Sequence, residues 1–129
     1  MRKLILFAGI LTAFIACQES LEDRAAKEAE TYTRKNCPMP LNEHIDMDSM
    51  TFDRPTHTFC YHYTMKGTLD DASAMRPEEM RQQLLEGVKN LTAARTYMDE
   101  GYSFRYVYRS KSHPETILFE TLFTDKDYR

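Results

Sequence analysis

Positive charge is the first thing that this sequence lacks. Its 129 residues hold 17 lysines and arginines against 20 aspartates and glutamates, which gives a formal net charge of −3 at pH 7. The cationic residues are scattered and form no basic stripe. Nucleic acids are bound through a concentrated positive surface. We therefore expect no nucleic-acid partner.

Linkers, internal repeats and low-complexity tracts are absent as well. Such segments would mark a domain boundary or a repeat architecture. Residues 17–129 have the size of one compact domain with a single modest core. We therefore expect a single domain over residues 17–129.

Long hydrophobic runs are missing too, with one short exception at the start of the chain. Arg2 and Lys3 precede an uncharged, mostly apolar stretch from Leu4 to Ala16. As a helix this stretch would extend about 20 Å, which is less than the ~30 Å hydrocarbon core of a membrane. A cationic start followed by a short apolar run is typical of an export signal peptide. We expect residues 1–16 to be that signal.

The apolar stretch ends in Phe14-Ile15-Ala16-Cys17, which resembles the lipobox of bacterial lipoproteins. That resemblance implies a diacylglycerol on the Cys17 thiol, with palmitate-type chains that anchor the protein to a membrane. Ordinary signal cleavage after Ala16 is the alternative, but it requires a small residue where Phe14 stands. We expect a lipid-anchored protein of the cell envelope, with the outer membrane favoured and the leaflet left open.

Cysteine is scarce, and the chain has only three. With Cys17 lipidated, Cys37 and Cys60 remain as a pair in a compartment that permits disulfides in many bacteria. A bridge would contribute about 3 kcal/mol in the loop-entropy model. Two unpaired thiols are the alternative, because strand alternation places Cys60 on the face opposite the tyrosines. The disulfide is an open hypothesis.

Two segments have helical periodicity. Between Ser20 and Lys35 apolar residues recur every three or four positions, with acids early and bases late, and Ser20 can cap the start. Pro77 opens a second helix that carries a clear apolar stripe. The segment from Thr92 to Glu100 continues helically, with a bend, until Gly101 ends it.

Four segments alternate as strands do. Leu41–Phe52 and a return strand after the turn at residues 53–56 predict one hairpin, and two strands after Gly101 predict another. One face of these strands is aromatic, with Phe59, Tyr61, Tyr63, Phe104, Tyr106 and Phe119. We predict an α+β fold in which a four-stranded antiparallel sheet, made of two β-hairpins, has two helices packed on one face.

Several short motifs accompany this α-β-β-α-β-β order. They are Asn36-Cys37-Pro38, Tyr61-x-Tyr63, Phe104-x-Tyr106-x-Tyr108 and the end Thr124-Asp125-Lys126-Asp127-Tyr128. With the lipobox-like ending, they resemble a group of small lipoproteins found mostly in Bacteroidetes-type bacteria. The resemblance implies an envelope location and carries over no functional residue.

Histidines suggest a metal site only weakly. Cys60-x-His62 supplies two ligands on one strand face, whereas zinc typically takes four. His44, Asp46 and Asp48 would have to supply the rest, so solvent-facing strand residues are the simpler interpretation. We therefore expect no metal and no cofactor.

Catalytic chemistry has equally little support. A thiol nucleophile at Cys37 or Cys60 needs an electropositive, partly exposed setting that neither sequence context indicates. Arg105 and Arg109 could hold an anion, although solvation is the simpler role. Half-exposed tyrosines on strands could receive a peptide or a carbohydrate. We assign no catalytic residue.

The leading functional hypothesis is a non-enzymatic, membrane-anchored binding or accessory domain of the cell envelope. It would act through the exposed side or an edge of its sheet, with an envelope protein as its partner. A small hydrolase or metal-handling protein is one alternative, and an assembly factor of an outer-membrane complex is another.

Overall fold

The computed structural model describes residues 19–129. Its helices and strands are, in chain order, α1 (Leu21–Asn36), β1 (Met39–Pro40), β2 (Ile45–Asp53), β3 (Thr58–Met65), α2 (Pro77–Lys89), α3 (Arg95–Asp99), β4 (Ser103–Ser110), β5 (Ile117–Phe123) and α4 (Asp125–Tyr128). The predicted signal peptide and Cys17 lie outside the described residues. Within residues 19–129, no helix combines the length and apolar character that a membrane crossing requires.

The strands form one five-stranded sheet in the order β1-β2-β3-β4-β5. The prediction of an α+β fold is confirmed, but four strands in a wholly antiparallel sheet is wrong. A fifth strand of two residues pairs with β2, and β3 pairs with β4 in parallel. The parallel pair arises because the long connection through α2 crosses the sheet before β4 begins, as parallel neighbours require.

The first helix coincides to within one residue with the periodic segment between Ser20 and Lys35. The Ser20 hydroxyl accepts a hydrogen bond of 3.0 Å from the Asp23 backbone N–H, which caps the start. Ala25 and Ala29 are buried and small, so α1 lies close against β2. The Thr33 hydroxyl then bonds both the N–H and the carbonyl of Met50, at 2.9 and 2.8 Å. Thr33 thereby satisfies backbone groups of β2 beyond the reach of the short β1.

Strand alternation holds along β3 and β4, whereas the register shifts between Met47 and Ser49 on β2 and between Tyr108 and Arg109 where β4 pairs with β5. Phe59, Tyr63, Phe104, Tyr106 and Phe119 are buried on the aromatic face, as predicted. Tyr61 is half-buried, as is His62 on the opposite face, which we call the open face. The register places Cys60, His62 and Val107 on that open face.

The helices lie along the flanks of the aromatic face. α1 packs against β2, whereas α2 packs against β5 and α4. The middle strands β3 and β4 therefore face the space between the two long helices. At one end of that space the segment Leu91–Tyr97, which leads through a short 3-10 turn into α3, closes over Phe59 and Phe104.

Candidate functional site: an aromatic cleft and a tyrosine row

A cleft of about 700 Å³ opens on the aromatic face between α1 and the segment Leu91–Tyr97. We call it the α1 cleft. Its floor is built from side chains that the strand alternation turns toward the helices: Met50, Phe59, Tyr61 and Phe104. A mostly apolar concavity with a few polar groups is the usual form of a binding site.

The two walls of the α1 cleft differ in chemistry. Along α1, Lys27 pairs with Glu19 at 2.7 Å and Arg24 pairs with Glu28 at 3.2 Å. Lys35 lies on the same wall and forms no ion pair with any described residue. The opposite wall carries the small or apolar side chains of Leu91, Ala93 and Ala94. The α1 wall therefore retains one positive charge without a partner.

Tyr97 closes the inner end of the cleft. Only 2% of its surface is exposed, and its ring meets Phe59 edge-on with centroids 4.9 Å apart. Within the described residues its hydroxyl is sealed from solvent and makes no hydrogen bond. Burial, together with the nearby Glu28 carboxylate, raises the pKa of Tyr97. Tyr97 is therefore a neutral, apolar support for the floor.

A second feature continues from the floor along β3 and β4. Four tyrosine rings stack in neighbouring pairs, and we call them the tyrosine row: Tyr61, Tyr63, Tyr106 and Tyr108. The centroids of Tyr61 and Tyr106 are 4.7 Å apart, and those of Tyr63 and Tyr108 are 4.5 Å apart. The parallel register of β3 and β4 sets these two pairs side by side. Tyr61 belongs to both the row and the α1 cleft.

The hydroxyls of the tyrosine row have no partner among the described residues. Tyr128 differs, because its hydroxyl donates to the Tyr102 carbonyl at 2.7 Å. Burial raises the pKa of every member of the row, and that of Tyr108 to about 12. The four phenols are therefore neutral at physiological pH and can donate hydrogen bonds.

The open face holds a polar network around His62. The imidazole lies 3.0 Å from the Thr51 hydroxyl through Nε2, and Arg109 donates to Nδ1 at 3.3 Å. Arg105 pairs with Glu120 across the neighbouring strands. Burial and the nearby Arg109 lower the pKa of His62. Both ring nitrogens of His62 are therefore engaged by protein groups, which leaves neither nitrogen available to a metal.

The other three histidines do not converge on His62. His57 sits at the β2–β3 turn and meets Glu22 at 3.3 Å, His44 precedes β2, and His113 lies in the β4–β5 turn. In the described part of the chain, no three His, Cys, Asp or Glu side chains are placed to hold a metal ion.

Both described cysteines are free thiols, so the structure contains no bridge between Cys37 and Cys60. Cys37 packs against the aromatic core, whereas Cys60 faces the open side of the sheet. The sheet lies between the two thiols, because Cys60 is on the face opposite the tyrosines, as strand alternation indicated. Burial raises the pKa of both thiols. Neither cysteine has the lowered pKa of an activated nucleophile.

Sequence periodicity found the tyrosines but not the cleft. Phe59, Tyr61 and Phe104 were placed on one face by alternation alone. The opposite wall at Ala93 and Ala94 has no sequence signal, because its role depends on how the α2–α3 connection folds over the sheet. Tyr97 was not identified either, because α3 has only about one turn and is too short to show an apolar periodicity in the sequence.

The fold occurs in solved structures of low sequence identity. A Pseudomonas aeruginosa protein described as secreted matches 87% of this chain and 100% of its own, at 19% identity and a TM-score of 0.68. The pilotin EpsS of the Vibrio vulnificus type 2 secretion system matches 84% of this chain and 92% of its own, at 14% identity and a TM-score of 0.65. The pilotin AspS of the Vibrio cholerae type II secretion system matches 83% and 91%, at 18% identity and a TM-score of 0.60.

No curated protein matches the sequence itself. Residues 20–119 match a family described as a domain of unknown function, DUF8479. This range includes α1, both walls of the α1 cleft and the whole tyrosine row. The chain therefore belongs to the DUF8479 family.

Proposed function

We propose that this protein is a non-enzymatic accessory domain of the bacterial cell envelope, anchored by lipid on Cys17, that holds a segment of another envelope protein in the α1 cleft. The signal-like start and the lipobox-like ending support the anchor. The two structurally similar pilotins belong to secretion systems, which supports an assembly role in the envelope. The resemblance to Bacteroidetes-type lipoproteins supports the same location.

The α1 cleft is the observation that carries this proposal. Aromatic residues often contribute a large share of the binding energy of a protein interface. The floor of the cleft presents several aromatic rings beneath small wall residues. The open face, by contrast, is occupied by its own polar network. We therefore place the partner on the aromatic face.

Filling the cleft tests the proposal. Ala93 is exposed and lines the cleft, so Ala93→Trp inserts a large side chain without disturbing the core. Ala74→Trp is the matched control, because Ala74 is equally exposed in a turn that does not line the cleft. A photo-reactive amino acid replaces Thr31, which lines the cleft, in the full-length protein expressed in its native bacterium. On illumination it cross-links to the molecule that occupies the cleft.

We expect a discrete cross-linked envelope protein with the parent and with Ala74→Trp, and at least a tenfold loss with Ala93→Trp. Equal cross-linking in all three proteins would show that the partner does not insert into the cleft beside Ala93, and the lack of a discrete cross-link with the parent would show that no envelope protein occupies the cleft; either result refutes the proposal. Cys17→Ala tests the anchor in the same cells. That variant should leave the membrane fraction, because acyl chains supply the membrane affinity.

A further inference from the structure

We infer that the partner segment is an extended polypeptide that lies along the tyrosine row and accepts hydrogen bonds from its hydroxyls through backbone carbonyls. The inference rests on the proposed function and adds the conformation and chemistry of the partner. It concerns the hydroxyls of Tyr61, Tyr63, Tyr106 and Tyr108, which no described residue uses.

Within residues 19–129 the hydroxyls of the row are unpaired although most of their rings are buried. Tyr63, Tyr106 and Tyr108 are only 8, 6 and 7% exposed, yet none bonds a protein group in the described structure. A buried tyrosine normally directs its hydroxyl to a partner. Only the Tyr97 hydroxyl is both unpaired and sealed from solvent among the described residues. The hydroxyls of the row therefore point to where a ligand can reach them.

The spacing of the four tyrosines also suits an extended chain. Tyr61 and Tyr63 are two residues apart on β3, and Tyr106 and Tyr108 are two residues apart on β4. Side chains on one face of a strand repeat every ~6.6 Å, because each residue advances the chain by about 3.3 Å. Carbonyls on one side of any extended chain repeat at the same distance. The row therefore matches the carbonyl spacing of an extended segment running along β3 and β4.

A helical partner does not satisfy the same donors. The carbonyls of a helix are already bonded within the helix. With a helical partner, only side chains could accept hydrogen bonds from the hydroxyls of the row. The spacing of those side chains has no fixed relation to the spacing of the tyrosines. The extended form follows because it alone offers a regular row of free acceptors.

The tyrosine row is continuous with the α1 cleft and with its unpaired positive charge. The row joins the α1 cleft at Tyr61, so a segment on the row can place an apolar side chain in the cleft. Lys35, on the cleft wall, has no ion-pair partner among the described residues. The charge that complements it is negative. We therefore expect the segment to carry an acidic residue near the end of α1.

Peptides displayed on phage give the probe. A library of random peptides, about 16 residues long, is selected on the full-length protein in detergent. Peptides that lose binding to Ala93→Trp but not to Ala74→Trp occupy the cleft region. We expect these to be enriched in Asp or Glu and in apolar residues.

The selected peptides are then measured against Tyr63→Phe/Tyr108→Phe, which removes only two hydroxyls. We expect affinity to fall roughly thirtyfold, which corresponds to two lost hydrogen bonds of about 1 kcal/mol each at tenfold per 1.4 kcal/mol. The thermal midpoint should not fall, because no protein group loses a partner. Tyr102→Phe is the control, since it removes a hydroxyl outside the row. It should bind as the parent does.

A proline scan of one selected peptide tests the conformation. Proline keeps its carbonyl and suits an extended chain, but it breaks a helix. We expect several alternate positions to accept proline with less than a threefold loss. Loss of binding at every central position would indicate a helical partner and overturn the inference.

The outcomes separate the two proposals. Cleft-dependent peptides that bind the double phenylalanine variant as tightly as the parent would refute the tyrosine-row inference alone. Selected peptides that ignore Ala93→Trp, or no selected peptide at all, would refute the proposed function as well. Soluble glycan fragments are also tested as competitors of the peptides. If they displace the peptides, and if this displacement requires the same hydroxyls, the ligand of the row is a carbohydrate and the inference of a polypeptide is overturned.

Discussion

The two faces of the sheet are covered by different means. On the aromatic face, rings from β3 and β4 lie beneath and between the helices, and Phe104 is fully buried. On the open face none of the helices within residues 19–129 packs, and the side chains shield one another through hydrogen bonds and ion pairs. Val107 is nevertheless only 1% exposed there. Burial alone therefore does not distinguish the faces.

The two faces differ in whether their polar atoms have partners within the protein. The open face pairs its polar groups internally, as Arg105 does with Glu120 and His62 with Thr51. The aromatic face buries three phenol rings of the tyrosine row and half-buries the fourth, and leaves their four hydroxyls without partners among residues 19–129. A face that satisfies itself is poorly suited to a partner, whereas one with free donors is suited to it. The comparison thus explains why the binding proposal lies on the covered face.

The largest expected effect compares two adjacent residues of β4 on opposite faces. Phe104→Ala should lower the free energy of unfolding by about 3–5 kcal/mol, because it leaves a cavity in the core. Arg105→Ala should change it by less than about 1 kcal/mol, since Arg105 is exposed. Urea denaturation of both variants gives the two values. Similar losses from both would mean that the faces contribute equally to stability.

A smaller effect is expected at Val107, which is the buried centre of the open face. Its register neighbours are His62 and Glu120. The stems of long charged side chains can cover apolar surface in this way. Val107→Ala should therefore cost about 1–3 kcal/mol by urea denaturation. Val107→Thr keeps the shape and controls for volume. No loss in the alanine variant would show that the polar cover does not pack.

Local signals in the sequence predicted individual elements well. The Ser20 cap, the opening at Pro77 and the aromatic alternation each depend on a few neighbouring residues, and each is confirmed. Alternation with Tyr106 and Tyr108 places Val107 on the opposite face, but it cannot tell that neighbouring side chains cover Val107. The exposure of Val107 depends on side chains of β3, β4 and β5 together.

Features that depend on chain routing were not predictable in this way. The parallel pairing of β3 and β4 is decided by the path of the connection through α2, which carries no period of its own. The two-residue β1 is too short to show any alternation. The α1 cleft combines α1, two strands and the Leu91–Tyr97 segment. Alternation identified only the tyrosines of the site, since they repeat along strands.

The smallest expected effect is a pH dependence that arises on the open face. Arg109 can only donate a hydrogen bond, so Nδ1 of His62 must accept it and Nε2 must carry the proton toward Thr51. The neutral imidazole therefore fits the network, whereas a protonated one would place positive charge beside Arg109. Burial and Arg109 accordingly lower the pKa of His62 below its usual value.

A lowered pKa in the folded state fixes the sign of this dependence. Between the folded and unfolded pKa values the unfolded chain binds more protons, so stability is highest above about pH 6.5 and falls with pH through the folded pKa. We expect the free energy of unfolding to decrease from pH 7.5 to pH 5, and to decrease less in His62→Gln. His113→Gln, in an exposed turn, should keep the parent slope. If His62→Gln also keeps that slope, the open face does not sense protonation through His62, and its network contributes at every pH alike.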